Sequence, residues 1–197
     1  NAGTLRVKGI EGDFNWRSGG FSLRGAAAYN DAGYKDYVGQ CYGGQTVAAG
    51  CNLLAAPGGA FTSQDYDGRT PPKAPRFAGR LGASYDMPLT DSGWTLQLSS
   101  DVSYTSKYNF TDTLRPDGVQ KAYTKLDAAL RLNGPDDRWT IGLIGRNLTN
   151  KLVVTAANDI PFAGGSGTGT AGPGVLADMS AFVDNPREIY VEVGFKF

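Results

Sequence analysis

The sequence has 197 residues, and its 19 Lys+Arg balance 19 Asp+Glu, so it lacks the basic excess that nucleic-acid binding demands. It contains no histidine, which excludes a Ser-His-Asp triad, a His-based acid–base step and a His-ligated metal. With 28 glycines, 10 tyrosines and 9 phenylalanines in a 41% apolar chain, the composition favours β structure rich in turns.

The dominant period along the chain is two. In GIEGDFNWR, Ile10, Gly12, Phe14 and Trp16 alternate with Glu11, Asp13, Asn15 and Arg17. Leu5 and Val7 have the opposite parity, which predicts a change of phase at Gly9, where a bulge is expected. After the turn RSGG, the segment FSLRGAAAY sets Phe21, Leu23, Gly25, Ala27 and Tyr29 against Ser22, Arg24 and Asn30. A Gly-rich stretch over 38–72 follows and carries the only cysteines, Cys41 and Cys51. Their spacing among small residues suits a disulfide closing a surface loop in an oxidising compartment, with two buried free thiols as the alternative.

Phe77, Leu81, Ala83, Tyr85 and Met87 then alternate with Arg80, Ser84 and Asp86. The turn TDSG leads to Trp94, Leu96, Leu98, Val102 and Tyr104, opposite Thr95, Gln97, Ser99 and Asp101. A loop at 111–118 precedes Leu126, Ala128, Leu130 and Leu132, set against Lys125, Asp127 and Arg131. The turn NGPDD precedes WTIGLIGRNL, in which the alternation breaks near Gly145–Asn147. A long loop over 157–185 leads to REIYVEVGFKF, where Ile189, Val191, Val193, Phe195 and Phe197 alternate with Tyr190, Glu192 and Lys196. No helix is predicted, and no apolar run approaches the ~18 residues of a membrane-spanning helix.

About seven long strands joined alternately by short turns and long loops predict an all-β, antiparallel, up-and-down transmembrane β-barrel. Trp16, Trp94 and Trp139 all flank the short turns, as an aromatic girdle at a membrane interface would. A soluble sheet with Trp at its strand ends is the alternative, but it leaves the charged opposite face unexplained. Glu11, Asp13, Arg17, Arg80, Asp86, Asp101, Lys125, Asp127 and Arg131 would instead line a polar lumen. Bacterial single-chain barrels have even strand numbers, so an odd count predicts either one further strand within the chain or that residues 1–197 are one arc of a larger barrel, with earlier sequence before Asn1.

Several stretches bear a family resemblance. IGLIGRNLTNKLVV resembles the NLTDK-like motif near the C-terminus of TonB-dependent outer-membrane receptors. GIEGDFNW, TPPKAPRFAGRLGASYD and the terminal YVEVGFKF resemble further segments of that family in the same order, and CYGGQTVAAGC resembles its loops. Asn150 stands where the family more often has Asp, and the last loop is unusually Gly-rich. The resemblance implies a 22-stranded type of barrel filled by an N-terminal plug, of which this chain supplies the C-terminal portion. It further implies uptake of a scarce nutrient such as a siderophore, cobalamin or an oligosaccharide, without catalysis or cofactor. Expected partners are outer-membrane lipid and lipopolysaccharide, TonB through the absent plug, the assembly machinery and the nutrient. Long loops are expected outside the cell and short turns in the periplasm. Tyr190, Phe195 and Phe197 would form the terminal signal read during assembly. A passive porin-like channel and a small structural or autotransporter-type barrel are the alternatives.

Within the loops, Tyr37, Tyr42, Tyr66, Tyr108, Arg115 and Phe162 are the candidate ligand contacts. Asp65, Asp67, Asp112, Asp117 and Asp159 are expected to be solvated loop charges rather than a calcium site or a glycosidase pair. Gly167, Gly169 and Gly172 have GxGxxG spacing but lack the strand–helix setting that dinucleotide binding requires. The NLT sequon starting at Asn147 is expected to serve a local turn or lumenal hydrogen bonds instead of glycosylation.

Overall fold

A computed structural model describes residues 3–54, 57–160, 163 and 176–196. Seven long strands form one antiparallel sheet: β1 (Thr4–Ser18), β2 (Phe21–Lys35), β6 (Phe77–Pro88), β7 (Thr95–Thr105), β10 (Tyr123–Asn133), β11 (Trp139–Arg146) and β14 (Glu188–Phe195). They pair in chain order as an open arc, β1 and β14 being its edges. Among the described residues three small antiparallel sheets occupy the long connections. The first holds β3 (Val38–Gln40), β4 (Leu53–Leu54) and β5 (Phe61–Asp65). The others are β8 (Tyr108–Asn109) with β9 (Val119–Gln120), and β12 (Val154–Asp159) with β13 (Met179–Val183). Among the described residues there is no α-helix, only a 3-10 turn at Pro135–Asp137.

The register aligns the alternation of all seven strands. Trp16 lies opposite Leu23, and the row continues through Ala83, Ser100, Ala128, Gly145 and Ile189. A second row on the same face runs Phe21, Tyr85, Leu98, Leu130, Leu143 and Val191. Directly opposite residues share a face, so one side of the sheet is apolar across its full width. That side is uncovered: Ile10 is 75% exposed and Val191 67%. Soluble monomers rarely expose contiguous apolar patches beyond a few hundred Å².

The other side is mostly polar and carries cross-strand pairs. Arg24 and Arg80 both bond Asp101, at 3.1 and 3.0 Å. Gln97 donates to Asp86 at 2.8 Å, and Arg131 to Glu192 at 3.1 Å. Gly82 sits between Arg24 and Asp101 in the register, and a Cβ there would fall 2.5 Å from the Asp101 carboxylate. Only glycine lets those two side chains meet across an intervening strand.

The three tryptophans fix the slant of the sheet. The row through Trp16 reaches β11 at Gly145, six residues beyond Trp139, after five strand steps. At about 3.3 Å per residue and about 4.8 Å between strands, a plane holding both indoles inclines the strands about 40° to its normal. Membrane barrels tilt their strands by about 35–45°. Trp94 joins that level by edge-on contact with Trp139, ring centroids 4.5 Å apart.

One expectation is corrected. β1 pairs residue for residue with β2 from Thr4 to Ser18, so there is no bulge or phase change at Gly9. Leu5 and Val7 share the polar face with Glu11 and Asp13, near the long-loop end, opposite Tyr34 and Ala32. The pattern misleads because the alternation rule relaxes once a strand extends past the apolar band. The break near Gly145 is the end of β11: Asn147 turns with φ 46°, and Leu148 folds back over Gly145, where a Cβ would lie 2.6 Å from its Cδ2.

Candidate functional site: the long-loop layer

The long connections pack on one another into a layer with its own polar interior. Gln64, on β5, is 1% exposed. Its amide nitrogen lies within hydrogen-bond distance of the Gln40 carbonyl (2.8 Å), the Tyr66 hydroxyl (3.0 Å) and the Thr113 carbonyl (3.2 Å). Its oxygen accepts from Gln45 at 2.9 Å and Arg69 at 2.8 Å. The Cys41–Cys51 disulfide, with Cα atoms 5.7 Å apart, closes the loop that carries Gln45.

Arg115 is the second centre. Its side chain is 2% exposed and bonds Asp117 at 3.0 and 2.8 Å, Asp159 at 2.5 Å and the Ala177 carbonyl at 2.9 Å. The other oxygen of Asp159 accepts the Gly43 amide at 2.7 Å. One guanidinium thus connects the 111–118 loop to the β12–β13 hairpin, and Asp159 passes the connection to the cysteine loop. The ion pair holds the Asp117 carboxyl below its ordinary range, chiefly through the Arg115 hydrogen bonds against the opposing effect of burial.

The aromatic candidates separate by setting. Tyr34, Tyr37 and Tyr66 form a three-ring cluster, with centroids 4.7 Å (Tyr34–Tyr37), 5.4 Å (Tyr37–Tyr66) and 5.8 Å (Tyr34–Tyr66) apart. The Arg69 guanidinium stands 5.6 Å over the Tyr66 ring. Tyr66 is buried and its phenol is pushed up to about 12, mainly by that burial. Tyr108 is half-buried, donates to the Val154 carbonyl at 3.2 Å, and is likewise pushed to about 12 by burial and by Tyr123. Tyr42 is buried, and its amide is bonded to Gln45. Tyr42, Tyr66 and Arg115 therefore hold the layer together, while Tyr37 and Tyr108 retain a solvent-accessible side. Phe162, the GxGxxG stretch at 167–172 and Phe197 lie outside the described residues.

Of the loop carboxylates expected to be solvated, Asp117 and Asp159 are tied to Arg115, and Asp67 pairs with Lys35 at 3.7 Å. Among the described residues no three His, Cys, Asp or Glu side chains converge on a metal position. Gln64 and Arg69 carry no sequence signal, since nothing local tells that their segments will meet Thr113. Asn147 is buried and joins β11 to its surroundings. Its amide nitrogen donates to the Lys151 and Asn185 carbonyls at 2.9 and 3.0 Å, and its backbone N–H donates to Asp127 at 2.7 Å. Tyr190 faces the polar side beside Arg146, whose guanidinium lies 5.5 Å over its ring, and Phe195 faces the apolar side opposite Trp139.

Residues 1–148 match the family model described as TonB dependent receptor-like, beta-barrel. The chain belongs to this family. Among solved structures it is similar to the ferric yersiniabactin uptake receptor FyuA from Yersinia pestis. That match has TM-score 0.70 and 17% identity, covering 100% of this chain and 24% of that one. The siderophore receptor PiuA from Acinetobacter baumannii gives TM-score 0.65 and 18% identity, covering 98% and 22%. The ferric preacinetobactin receptor BauA, also from Acinetobacter baumannii, gives 0.58 and 20%, with the same coverages. No curated protein matches. The chain thus spans about a quarter of the length of the solved receptors it resembles. TonB-dependent receptor barrels are outer-membrane proteins, and the family consists of transporters, not enzymes. The apolar face is therefore the lipid face of a barrel arc and the polar face its lumen side.

Proposed function

We propose that residues 1–197 form the C-terminal arc of a 22-stranded type of receptor barrel that takes up a scarce small-molecule nutrient with energy delivered through TonB. The observation that carries this reading is the unbroken apolar face over seven strands, backed by a paired polar face and a loop layer with a fixed interior. The tryptophans at the short turns form the periplasmic girdle, and the long loops face outward. Ligand first meets the accessible sides of Tyr37 and Tyr108, held in place by the buried Gln64 and Arg115 networks. Passage then follows the lumen face, whose Arg24–Asp101–Arg80 and Arg131–Glu192 pairs leave ordered charge for a plug to bind against and release. A ferric siderophore is the first class to test, because the similar structures are receptors for such compounds.

The test uses the full-length receptor expressed in a host lacking its own siderophore receptors. Energy-dependent accumulation of an iron chelate, lost when TonB is deleted, is the expected result. Accumulation that persists without TonB would indicate a passive pore and refute the reading.

A further inference from the structure

The pairing of β14 with β11 is unbroken, from Trp139 opposite Phe195 to Arg146 opposite Glu188. Alternation alone does not choose that register. A slip of one residue would turn every side chain of β14 to the wrong face, but a slip of two returns each to its own. Ile189, Val191 and Val193 would stay on the lipid side, and Trp139 would face Val193 in place of Phe195. The connection from Arg146 to Glu188 does not choose either, because a loop of that length absorbs two residues at almost no entropic cost. On the lumen face Arg131 meets Glu192, but their side chains are 31% and 47% exposed, and ion pairs so exposed contribute little.

The turn after β11 supplies what the strands lack. Asn147 and Asn150 both have positive φ, 46° and 51°, a conformation that asparagine tolerates better than most side chains. Buried Asn147 uses its whole carboxamide. Nδ2 donates to the Lys151 and Asn185 carbonyls, and Oδ1 accepts from the Lys151 amide at 3.0 Å and the Thr149 hydroxyl at 3.3 Å. The Asn150 side chain accepts from the Arg187 amide at 3.1 Å. The turn is itself fastened to β10: the Leu148 amide donates to the Leu126 carbonyl at 2.7 Å, and the Thr149 hydroxyl to the Thr124 carbonyl at 2.9 Å. Asn185 and Arg187, just before β14, are thereby tied to a fixed point on β10 and β11. A slip of two residues would carry them about 7 Å away, out of hydrogen-bond reach.

We propose that the turn 147–150 is a register clamp for β14, with Asn147 as its positioning residue. The clamp selects one of several pairings that the lipid and lumen faces would accept alike. With that choice it sets the lumen contacts of Glu192 with Arg131 and of Tyr190 with Arg146. In a closed barrel the strand that meets the free edge of β14 inherits its register, so the clamp also sets the stagger with which the barrel closes. This last step rests on the barrel reading above.

The test cross-links β11 to β14 in full-length receptor and identifies the products by non-reducing peptide mapping. A Cβ at Gly194 would stand 3.9 Å from that of Thr140, within the span of a disulfide, so T140C/G194C reports the observed register. T140C/E192C and T140C/K196C report the two slipped ones. With Asn147 in place the first product should dominate. N147G keeps the backbone turn but removes the carboxamide, and should raise the slipped-to-native ratio about tenfold. N150G, which removes only the bond to Arg187, should raise it less, and serves where N147G assembles poorly. An unchanged ratio in whichever variant assembles would overturn the proposal even if yield falls, since the turn would then supply stability alone. Cross-linking reads the register whether or not the receptor transports, so that outcome is separate from a failure of the TonB-dependent reading.

Discussion

Replacing Arg115 by Met roughly keeps the volume of the side chain while removing every donor of its guanidinium. Four hydrogen bonds disappear, to Asp117 (two), Asp159 and the Ala177 carbonyl. Breaking a fully buried ion pair costs about 3–5 kcal/mol. Here the carboxylates can rehydrate, since the Asp117 side chain is 43% exposed and that of Asp159 26%. That relief brings the cost to about 2–3 kcal/mol, or roughly a 30- to 150-fold rise in the local opening constant. Hydrogen exchange monitored by mass spectrometry on full-length receptor reads the change directly. The Gly43 amide, bonded to Asp159, and the Ala177 amide, bonded to the Gly43 carbonyl at 3.3 Å, should exchange faster by that factor. Amides of β7 and β10 should not change, because local opening of the loops leaves the sheet intact. Unchanged exchange at Gly43, or equal acceleration throughout the sheet, would refute the idea that Arg115 clamps the loops as a separable unit.

Other consequences of the structure are open to measurement. Leu130→Arg places a charge between Leu98 and Leu143 on the lipid face and should reduce folded receptor in the outer membrane, at about 2–4 kcal/mol. Arg131→Leu, on the lumen face beside Glu192, should be tolerated better, and equal yields in a heat-modifiability assay would argue against a bilayer on the Leu130 side. Non-reducing peptide mapping should recover Cys41 linked to Cys51, and Cys→Ser at both positions should loosen the 42–50 loop by about 2–3 kcal/mol, seen as faster proteolysis there. Asp117 has a lowered pKa in the folded protein, so its contribution is complete above the ordinary carboxylate value of ~3.9 and vanishes as pH falls through the lowered value. The loop layer should therefore exchange alike at pH 7 and pH 5 and loosen only below about pH 4. Loosening already at pH 5 would contradict the ion pair.

What was legible in the sequence was what the bilayer imposes at every second residue. Phe14, Leu98, Leu130 and Val191 declare their face without knowledge of their neighbours, because lipid penalises the wrong parity at each strand independently. The short turns were legible for a related reason: RSGG and TDSG supply Gly19 and Gly93, both at positive φ. The loop layer was not legible. Arg115 and Asp159 are 44 residues apart, and Gly43 and Asp159 116, and no periodicity links them. A buried arginine also looks like any other loop arginine until its carboxylates are placed. The misread start of β1 belongs to the boundary between these regimes. Leu5 and Val7 lie where the strand has left the band that enforces alternation, so their apolar character reports the Tyr34 side of the loop layer, not lipid.

The same boundary explains why two residues that break the pattern in β1 carry information. Arg6 and Lys8 occupy lipid-side parity, which within the band would cost about 2–4 kcal/mol per charge at the midplane and about 0–1 near an interface. A barrel strand that continues for 15 residues, longer than the ~9–11 needed to cross, must present some lipid-side positions beyond the hydrocarbon. There the constraint reverses: apolar residues gain nothing, and cations meet the charged headgroup layer. The height of that reversal, read against Trp16 at one end and Tyr29 and Phe77 at the other, measures the apolar band from the protein's side. If brominated lipids quench Trp16, Trp94 and Trp139 only when bromine sits near the headgroups, the lower limit of the band is fixed where the indoles place it. Stronger quenching by bromine at the bilayer centre would move the band, and with it the assignment of Arg6 and Lys8 to an interface.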